Sequence, residues 1–296
     1  MRIAVSGSTG FIGSALVPGL LGAGHDVVRL VRRDPAGPDE LRWNPAGGTI
    51  DTAGLEGIDA AVHLAGYNLG RRWTASRKRR IRESRVDGTR LLAETLANLP
   101  TPPSVLVCAS AMGYYGDRGD EVLDESAARG TGFLADVVAE WEAAADPARA
   151  AGIRVAHLRH SLVLAPRGGA LRRLLLPARF GLAGRIGSGR QWWSWVALDD
   201  VVRAYLHVLE RPVSGAVNVA APDPRRNADF VKALGRALHR PTLAPFPTVA
   251  VKVVLGEMGE ELLLESKRVV SAALEADGFS FRQPSLPEAL DALLSR

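Results

Sequence analysis

The sequence predicts an α/β protein in which a Rossmann-type, doubly wound parallel sheet precedes a smaller C-terminal domain. Three features predict it. A glycine-rich turn, VSGSTGFIG, follows the first apolar run. Apolar runs alternate with helical patterns as far as residue 160, and the segment that follows lacks this alternation. Apolar runs of this kind indicate strands buried on both faces, and such strands alternating with helices form a parallel sheet.

Apolar segments predict the strands of this sheet. Each is rich in Val, Ile, Leu or Ala and is bounded by turn residues. They are RIAVS (2–6), DVVRLVR (26–32), DAAVHLAG (59–66), SVLVCAS (104–110), IRVAHLR (153–159) and GAVNVAAP (215–222). Between the second and third of them, LRWNPAGGTID predicts a small exposed hairpin around residues 45–48.

Helical patterns connect the strands. Apolar residues recur at spacings of three and four over residues 11–24, 76–99, 131–151 and 197–211. Pro18 is expected to kink or shorten the first of these helices, because proline donates no backbone hydrogen bond. Gly152 is expected to end the helix over 131–151.

The chain changes character after residue 160. Residues 160–195 are rich in Gly, Arg, Leu and Trp, and the tail from Pro224 predicts two or three helices. We therefore expect a sheet domain over residues 1–160, with 197–222 returning to it, and a C-terminal domain within residues 161–296.

Composition and charge exclude several classes of protein. Of 296 residues, 47% are hydrophobic and 23% charged, which is ordinary for a globular chain. The net charge of +5 suits an anionic ligand but does not argue for nucleic acid, and no apolar run reaches the roughly 18 residues of a membrane span. We expect a cytoplasmic protein without nucleic-acid or membrane partners, and its oligomeric state is left open.

Cysteine and histidine usage predicts neither a disulfide nor a metal site. The single cysteine, Cys108, lies in an apolar run and is expected to be buried and inert. The histidines lack metal-ligand spacing, and His157 and His160 fall on opposite faces of one strand.

The glycine-rich turn predicts a dinucleotide site. Gly7 permits the tight turn after the first strand, Gly10 lets the backbone approach a pyrophosphate, and Gly13 allows close helix–strand packing. The pyrophosphate then lies at the N-terminus of the helix, where free N–H groups favour an anion. The remaining predicted contacts of this loop are Ser8, Thr9, Phe11 and Ile12.

The end of the second strand predicts which nicotinamide cofactor binds. An acidic residue there accepts from a ribose 2′-hydroxyl, whereas an Arg accommodates a 2′-phosphate. This strand ends in LVRRD, with Arg32 and Arg33 after the expected position. We therefore predict NADP(H), bound through Arg32. In the alternative, both arginines only solvate the strand end and Asp34 binds the ribose.

The motifs resemble those of the extended short-chain dehydrogenase/reductases, the NAD(P)-dependent epimerase/dehydratase family. The resemblance covers essentially the whole chain and rests on the glycine spacing, DAAVHLAG, RVDGTRLLAETL, YYGD and LDDVVRAYLHVLE. More narrowly, the chain resembles an atypical branch of this family. The motifs that indicate the branch are SAMGYYGD, FLADVVAEWEAAA, GSGRQWWSWV and LGEMGEELLLESKRV. The resemblance implies that the cofactor is also bordered by Leu64, Ala65, Gly66 and Arg85.

The family's proton relay uses a Ser or Thr together with a Tyr-x-x-x-Lys pair, and only part of it is present here. Ser110 is the best match to the Ser/Thr, with a one-position ambiguity towards Ala111. The Tyr and Lys positions fall on Phe133 and Val137, which cannot exchange protons. Where relatives carry Asn, this chain carries Arg85.

The remaining candidate acid is a tyrosine of GYYG, either Tyr114 or Tyr115. A phenol with a pKa of about 10 needs a nearby cation to act as an acid or base near neutral pH, and Arg85 or Lys78 could supply that cation. We expect Arg85 to point into the cleft. The alternatives are that the tyrosines only pack, and that Arg85 caps carbonyl groups or pairs with an acidic neighbour on the surface.

A substrate site is predicted between the carboxyl edge of the sheet and the C-terminal domain. Lys78 faces the sheet at helical spacing from Ile81, and GSGRQWWSWV supplies Arg190, Gln191 and Trp192 to line a cleft. Trp195 is expected to pack in the core instead.

These residues predict an NADP(H)-dependent oxidoreductase or epimerase-like enzyme that acts on a small polar or anionic substrate. The alternative is a non-catalytic NADP(H)-binding protein, a redox sensor or a partner-binding module. The missing Tyr and Lys favour the alternative. The cleft residues Arg85, Gln191 and Trp192 favour an enzyme.

Overall fold

The computed structural model describes residues 1–295, and its strands are short and numerous. They are β1 (Arg2–Ser6), β2 (Asp26–Val31), β3 (Glu40–Asn44), β4 (Thr49–Ile50), β5 (Ala60–His63), β6 (Val105–Ala111), β7 (Val122–Leu123), β8 (Arg154–His160), β9 (Leu162–Leu164), β10 (Trp192–Trp193), β11 (Trp195–Ala197), β12 (Gly215–Val219), β13 (Arg225–Arg226) and β14 (Arg268–Val269).

The helices alternate with the strands in the first half and dominate the C-terminal tail. They are α1 (Gly13–Gly22), α2 (Ala75–Ala97), α3 (Phe133–Ala143), α4 (Asp146–Ala150), α5 (Gly169–Arg179), α6 (Leu198–Glu210), α7 (Asn227–Ala237), α8 (Thr248–Leu255), α9 (Glu257–Gly259), α10 (Ala272–Ala276) and α11 (Leu286–Leu294), with a π-helical turn over Glu260–Leu264. Within residues 1–295, none of the helices is both long and apolar enough to cross a membrane.

An eight-stranded sheet forms the centre, in the order β12-β8-β6-β5-β1-β2-β3-β4. All neighbouring pairs are parallel except β3 and β4, which form the predicted hairpin around residues 45–48. The strand order reverses at β1, because β2 lies on one side of it and β5 on the other. Ligands of open α/β sheets bind in the crevice at such a switch point, outside the carboxyl ends of the strands.

Helices cover both faces of the sheet, which confirms the doubly wound architecture. On one face α1 and α6 pack against apolar side chains of β1, β5, β6, β8 and β12. On the other face α2 and α4 pack against the alternate side chains of β1, β2, β5, β6 and β8. Burial on both faces explains why these strands read as continuous apolar runs.

Two helix predictions need correction. Helix α1 runs without interruption from residue 13 through Pro18 to residue 22, so proline does not shorten it, and the alternative that Pro18 kinks it stays a prediction. The helix predicted over 131–151 is two helices, α3 and α4, which meet at Ala144 and Ala145. Pro147 lies in the first turn of α4, where its missing N–H leaves no hydrogen bond unmade.

The tail contains more helices than the two or three predicted, because the chain there forms the short helices α8, α9 and α10 in addition to α7 and α11. Trp195 is fully buried, as expected, in a cluster with Phe230 and Leu290. Its indole N–H donates to the carbonyl oxygen of Asp223 at 2.7 Å. The pairs β10–β13 and β7–β14 connect the tail to earlier segments, and β9–β11 joins the two ends of the segment that precedes it.

Glu261 in the tail caps helix α3. Its carboxylate accepts the backbone N–H of Phe133 at 2.9 Å and that of Leu134 at 2.8 Å. The first N–H groups of a helix have no partner within it, and a carboxylate there also interacts favourably with the helix dipole. The tail therefore fixes the start of the helix that borders the carboxyl edge of the sheet.

Removing this cap should destabilise the whole chain. We expect Glu261→Ala to lower the free energy of unfolding by about 1–3 kcal/mol, because the N–H groups of Phe133 and Leu134, the second of them buried, lose a charged acceptor. Urea unfolding followed by tryptophan fluorescence measures it. Glu260→Ala is the matched control, since that carboxylate only approaches Lys252 at 3.3 Å. Equal losses in the two variants would contradict the capping role.

Candidate functional site

The glycine-rich turn after β1 leaves no room for side chains. Gly7 has a φ of +69°, and a Cβ there would lie 2.8 Å from the backbone N of Ala65. A Cβ on Gly10 would lie 3.1 Å from the carbonyl oxygen of Gly7, whose backbone accepts the N–H of Gly10 at 2.9 Å. A Cβ on Gly13 would also collide with Gly7. The loop is therefore held close to the segment that follows β5.

The N-terminus of α1 presents free donors to this turn. No side chain caps the helix at Ile12, and the backbone N–H groups of Phe11 and Ile12 have no partner in the described chain. Ser8 is buried beneath the turn, whereas Thr9 and Gly10 are exposed. Orphan N–H groups beside an exposed, glycine-lined surface fit the pyrophosphate of a dinucleotide.

The end of β2 separates the two arginines of LVRRD. Arg33 is committed to Glu40, which accepts from it at 2.6 and 2.7 Å. Asp34, the alternative ribose ligand, pairs with Arg42. Arg32 is exposed and has no hydrogen bond or ion pair within residues 1–295. Of the two arginines, only Arg32 therefore has a guanidinium without a partner in the described chain, and its binding of a 2′-phosphate stays a prediction.

The loop after β5 brings Leu64, Ala65 and Gly66 against the glycine turn on one side and Arg85 on the other. The N–H of Leu64 donates to the backbone oxygen of Ser6 at 3.2 Å. A Cβ on Gly66 would lie 3.2 Å from the guanidinium carbon of Arg85. The predicted cofactor residues of β1, β5 and α2 therefore meet at one edge of the sheet.

Arg85 is half-buried and has no carboxylate partner among residues 1–295. Its Nη1 donates to the carbonyl oxygens of Tyr67 at 3.1 Å and Ile81 at 3.2 Å, and its guanidinium lies 5.1 Å from the centre of the Trp141 ring. Burial lowers the pKa of Arg85 to about 10. Arg85 is a desolvated cation beside the cofactor loop. It also caps carbonyl groups, which was one of the alternatives that the sequence left open for this side chain.

Three histidines near this edge are buried and neutral. Burial, together with the charge of Arg85, lowers the pKa of His63 to about 4. Burial also lowers the pKa values of His157 and His160 to about 4. The Nδ1 of His63 lies 2.7 Å from Ser6 Oγ, and its Nε2 has no partner within residues 1–295.

Ser110 does not face the cleft freely. It is buried, and its hydroxyl donates to Glu142 at 2.6 Å. Glu142 also accepts from Arg159 at 2.8 Å and 2.7 Å. Burial acts to raise the pKa of Glu142, but the hydrogen bonds and charge of Arg159 outweigh it and lower that pKa. Ala111, the other position that could match the Ser/Thr of the family, is half-exposed at the end of β6.

The two tyrosines of GYYG differ in their surroundings. Tyr115 is fully buried, donates to Asn218 at 2.7 Å and accepts from Arg159 at 3.0 Å. Burial raises the pKa of Tyr115 against the opposing effect of Arg159. Tyr114 is half-exposed, and the Arg159 guanidinium lies 3.5 Å from the centre of its ring. The neighbouring cation is therefore Arg159, which sequence reasoning did not name.

The positions of the missing Tyr and Lys carry no proton-exchanging group. Val137 is buried in a cluster that contains Met258 of the tail. Phe133 packs against Trp73, with ring centres 5.1 Å apart. Lys78 lies over the Phe133 ring and binds Glu257 at 2.7 Å, so its charge is already paired.

The predicted substrate residues of GSGRQWWSWV are only partly available. Gln191 is buried, and its amide donates to the carbonyl oxygens of Ile186 and Leu263 at 3.0 and 2.9 Å. Trp192 donates to Asp120 at 2.9 Å and is half-buried. Arg190 is exposed and, with Asp120 and Arg226, lines an open groove of about 450 Å³. Substrate binding by these residues stays a prediction.

Glu142, Arg159 and Asn218 form the polar network that sequence reasoning missed. One signal could have found the first two. Glu142 follows buried Val138 at helical spacing, and Arg159 interrupts the apolar run of β8, so each is a charge at a position that the pattern predicts to be buried. Cys108 is buried as predicted, and burial raises the pKa of its thiol to about 12.

The buried histidines should make stability depend on pH. A histidine with an ordinary pKa near 6.5 unfolded and about 4 folded takes up its proton only on unfolding, so stability falls as the pH falls from about 6.5 to 4. We expect His63→Asn to reduce this slope by about 1 kcal/mol per pH unit near pH 5. Urea unfolding from pH 7 to 4.5 measures it.

The control is His239→Asn, which removes an exposed imidazole and should leave the slope of the native chain unchanged. If His63→Asn and His239→Asn give the same slope, His63 is not a neutral buried base.

Comparison with known proteins agrees with this geometry. The NAD dependent epimerase/dehydratase family matches residues 3–220, and a domain of unknown function, DUF1731, matches residues 246–293. An epimerase family protein of Mycobacterium bovis is 44% identical over 296 residues, which cover 99% of this chain and 98% of that protein.

Solved structures show the same fold. The human epimerase family protein SDR39U1, crystallised with NADPH, is 35% identical, with a TM-score of 0.90 and complete coverage of both chains. A nucleoside-diphosphate sugar epimerase from Corynebacterium glutamicum is 38% identical, with a TM-score of 0.82 over 99% of this chain and 58% of that one. The predicted cofactor agrees with the NADPH in the human structure. The chain therefore belongs to the NAD dependent epimerase/dehydratase family, as its motifs predicted, and its C-terminal domain matches DUF1731.

Proposed function

We propose that the chain binds NADP(H) and acts as an oxidoreductase or epimerase-like enzyme on a small polar or anionic substrate. The observation that carries the proposal is which charged side chains at the end of β2 already have a partner. Arg33 and Asp34 are each paired, whereas Arg32 is exposed without a partner in the described chain. The human relative with 35% identity was crystallised with NADPH, which supports the same cofactor here.

The residues at the sheet edge fit that cofactor. The glycine turn and the free N–H groups of Phe11 and Ile12 would hold the pyrophosphate, and Arg32 the 2′-phosphate. When bound, the nicotinamide supplies a hydride donor or acceptor. The loop Leu64–Gly66 would border it. An Arg is suited to the 2′-phosphate because its planar fork matches phosphate oxygens.

Arg85 supports an anionic substrate. It is a half-buried cation beside Gly66 with no carboxylate among residues 1–295 to neutralise it. Only Nη1 among its nitrogens donates within the described chain, so donors remain for a ligand. A charge in a partly desolvated site attracts an anion more strongly than one in water. We infer that Arg85 holds an anionic or polar group of the substrate near the nicotinamide.

Tyr114 is the group that we assign to proton transfer. The hydroxyls of Ser110 and Tyr115 are already donated to Glu142 and Asn218, which leaves the half-exposed phenol of Tyr114 at the end of β6. A proton donor at this edge would act on the substrate oxygen as hydride transfer changes its charge.

A non-catalytic NADP(H)-binding protein is the second candidate. One observation favours it: the hydroxyl of Ser110, the match to the Ser/Thr of the family's relay, donates within a buried network, and Phe133 and Val137 replace the Tyr and Lys. In this case NADP(H) binds but no carbonyl compound is turned over.

Arg32 should set the preference for NADP(H). We expect Arg32→Ala to weaken NADPH binding about ten- to a hundredfold and to leave NADH binding nearly unchanged, because only the 2′-phosphate loses its partner. Fluorescence titration measures both constants. Arg33→Ala is the control, since its guanidinium is bound to Glu40. Equal affinities of the native chain for NADPH and NADH would refute the assignment.

Tyr114 should separate the two candidate functions. If the chain is an enzyme, Tyr114→Phe should lower kcat about a hundredfold or more with NADPH affinity retained, because only the proton donor is lost. Consumption of NADPH with a panel of small anionic carbonyl compounds measures it.

Tyr115→Phe is the matched control. It should lower stability without a comparable loss of kcat, since the Tyr115 hydroxyl is buried and donates a hydrogen bond to Asn218. Equal kcat in native and Tyr114→Phe protein would exclude Tyr114 as the proton donor. Tight NADPH binding without turnover of any compound would favour the non-catalytic candidate.

A further inference from the structure

Two segments carry the whole positive excess of the chain. Residues 166–190 and 230–256 hold ten of its 37 Lys and Arg and none of its 32 Asp and Glu. The rest of the chain therefore has 27 basic residues against 32 acidic ones and a formal charge of −5. The net charge of +5 arises because these two segments contribute +10.

The two segments form one surface, which we call the basic apolar face. Leu182 pairs with Thr242, and Ile186 pairs with Phe246, as isolated β-bridges. The guanidinium of Arg240 also donates to the carbonyl oxygen of Arg179 at 3.1 Å, which joins α5 to the end of α7. The two segments, distant in sequence, are thus in contact, and Arg179 and Arg240 lie next to each other.

The charges of this face are available to a partner. All ten Lys and Arg side chains are exposed. Lys232 lies 3.9 Å from Asp229, and Lys252 lies 3.3 Å from Glu260. No carboxylate of residues 1–295 pairs with the other eight, which are Arg167, Arg172, Arg173, Arg179, Arg185, Arg190, Arg236 and Arg240.

The same face exposes most of the large apolar side chains at the surface. Seven of the eleven exposed large hydrophobic residues within 1–295 lie in the two segments. Leu176 on α5 and Phe180, the residue that follows α5, are 66% and 73% exposed, and Leu182 and Leu243 are 65% and 84% exposed. The others are Val249, Val253 and Val254 on α8. These side chains protrude into solvent, where large apolar patches mark interaction sites.

A basic groove lies beside these apolar residues. It measures about 510 Å³, and its ionisable lining residues are Lys232, Arg236, His239 and Arg240. No acidic side chain lines it. The face thus combines protruding apolar groups with a concavity suited to anionic head groups.

We propose that the basic apolar face binds the surface of an anionic phospholipid bilayer. Arg and Lys around protruding Leu, Val and Phe are the composition of interfacial segments, in which apolar groups enter the acyl boundary and cations meet the phosphates. This is surface binding and does not require a spanning helix. It differs from the sequence-based expectation of no membrane partner, which considered only spanning segments.

Charge argues against other occupants. A second copy of the chain that used the same face would bring two surfaces of like charge together, which is destabilising. Nucleic acid would use the cations but not the aliphatic side chains, and Phe180 is the one exposed aromatic ring of the two segments among the described residues. An anionic bilayer uses both features.

The basic apolar face begins next to the dinucleotide turn. A Cβ on Gly168 or Gly169 would lie 2.7–2.8 Å from ring atoms of Phe11, so the segment that carries α5 packs on the dinucleotide turn. NADPH affinity therefore reports whether a variant of this face is still folded at the neighbouring site.

Co-flotation of the full chain with vesicles tests the proposal. We expect binding to vesicles of phosphatidylcholine mixed with phosphatidylglycerol, weak binding to phosphatidylcholine alone, and weaker binding as salt increases. Arg172→Glu with Arg236→Glu should weaken vesicle binding at least about tenfold while NADPH affinity is retained. The control is Arg79→Glu with Arg90→Glu, which makes the same charge change on the outer side of α2.

The apolar contribution has its own pair of variants. Phe180→Ser with Leu243→Ser should reduce binding several-fold, whereas Leu21→Ser with Val122→Ser, outside the face, should not. Absence of binding to anionic vesicles at low salt would overturn the proposal. So would equal losses in test and control variants, a dimer in solution that buries the face, or tight binding of a duplex oligonucleotide without vesicle binding.

Discussion

The buried pair of Arg159 and Glu142 is the interaction on which the site depends. A buried ion pair is tolerated only when its donors and acceptors are satisfied, because desolvation of two charges otherwise exceeds their attraction. Here the carboxylate accepts from Ser110 and twice from Arg159. Arg159 also donates to Tyr115, which donates to Asn218. One network therefore fixes the ends of β6, β8 and β12 and the helix α3.

This satisfaction has a chemical consequence. Each hydroxyl in the network has one proton to donate, and the protons of Ser110 and Tyr115 go to Glu142 and Asn218. If either group gave that proton to a ligand, Glu142 or Asn218 would lose one of its hydrogen bonds. The buried network thus stabilises the strand ends and removes two candidate acids, which directs any proton transfer to groups at the rim, above all Tyr114.

The sequence could predict the fold and the cofactor loop because local patterns determine them. Continuous apolar runs, glycine spacing and the hairpin of residues 45–48 depend on neighbours in sequence. It could not predict the break between α3 and α4, since the apolar pattern continues across it. The network at Arg159 also escaped prediction, because its partners are 17 to 103 residues apart and only their packing brings them together. Likewise, the sequence could not predict that Lys78 forms an ion pair with Glu257, because the two residues are distant in the chain.

The distribution of charge assigns different tasks to different parts of the surface. Outside the basic apolar face the chain has a formal charge of −5, so no general positive field draws an anionic cofactor to the sheet edge. Attraction there must be local, and it comes from helix α1, from Arg32 and from Arg85, whose interaction with an anion is screened less by water because its side chain is half-buried. Salt therefore screens Arg85 less than it screens the exposed arginines of α5. The same ionic strength can leave cofactor binding intact while it weakens contact with an anionic surface.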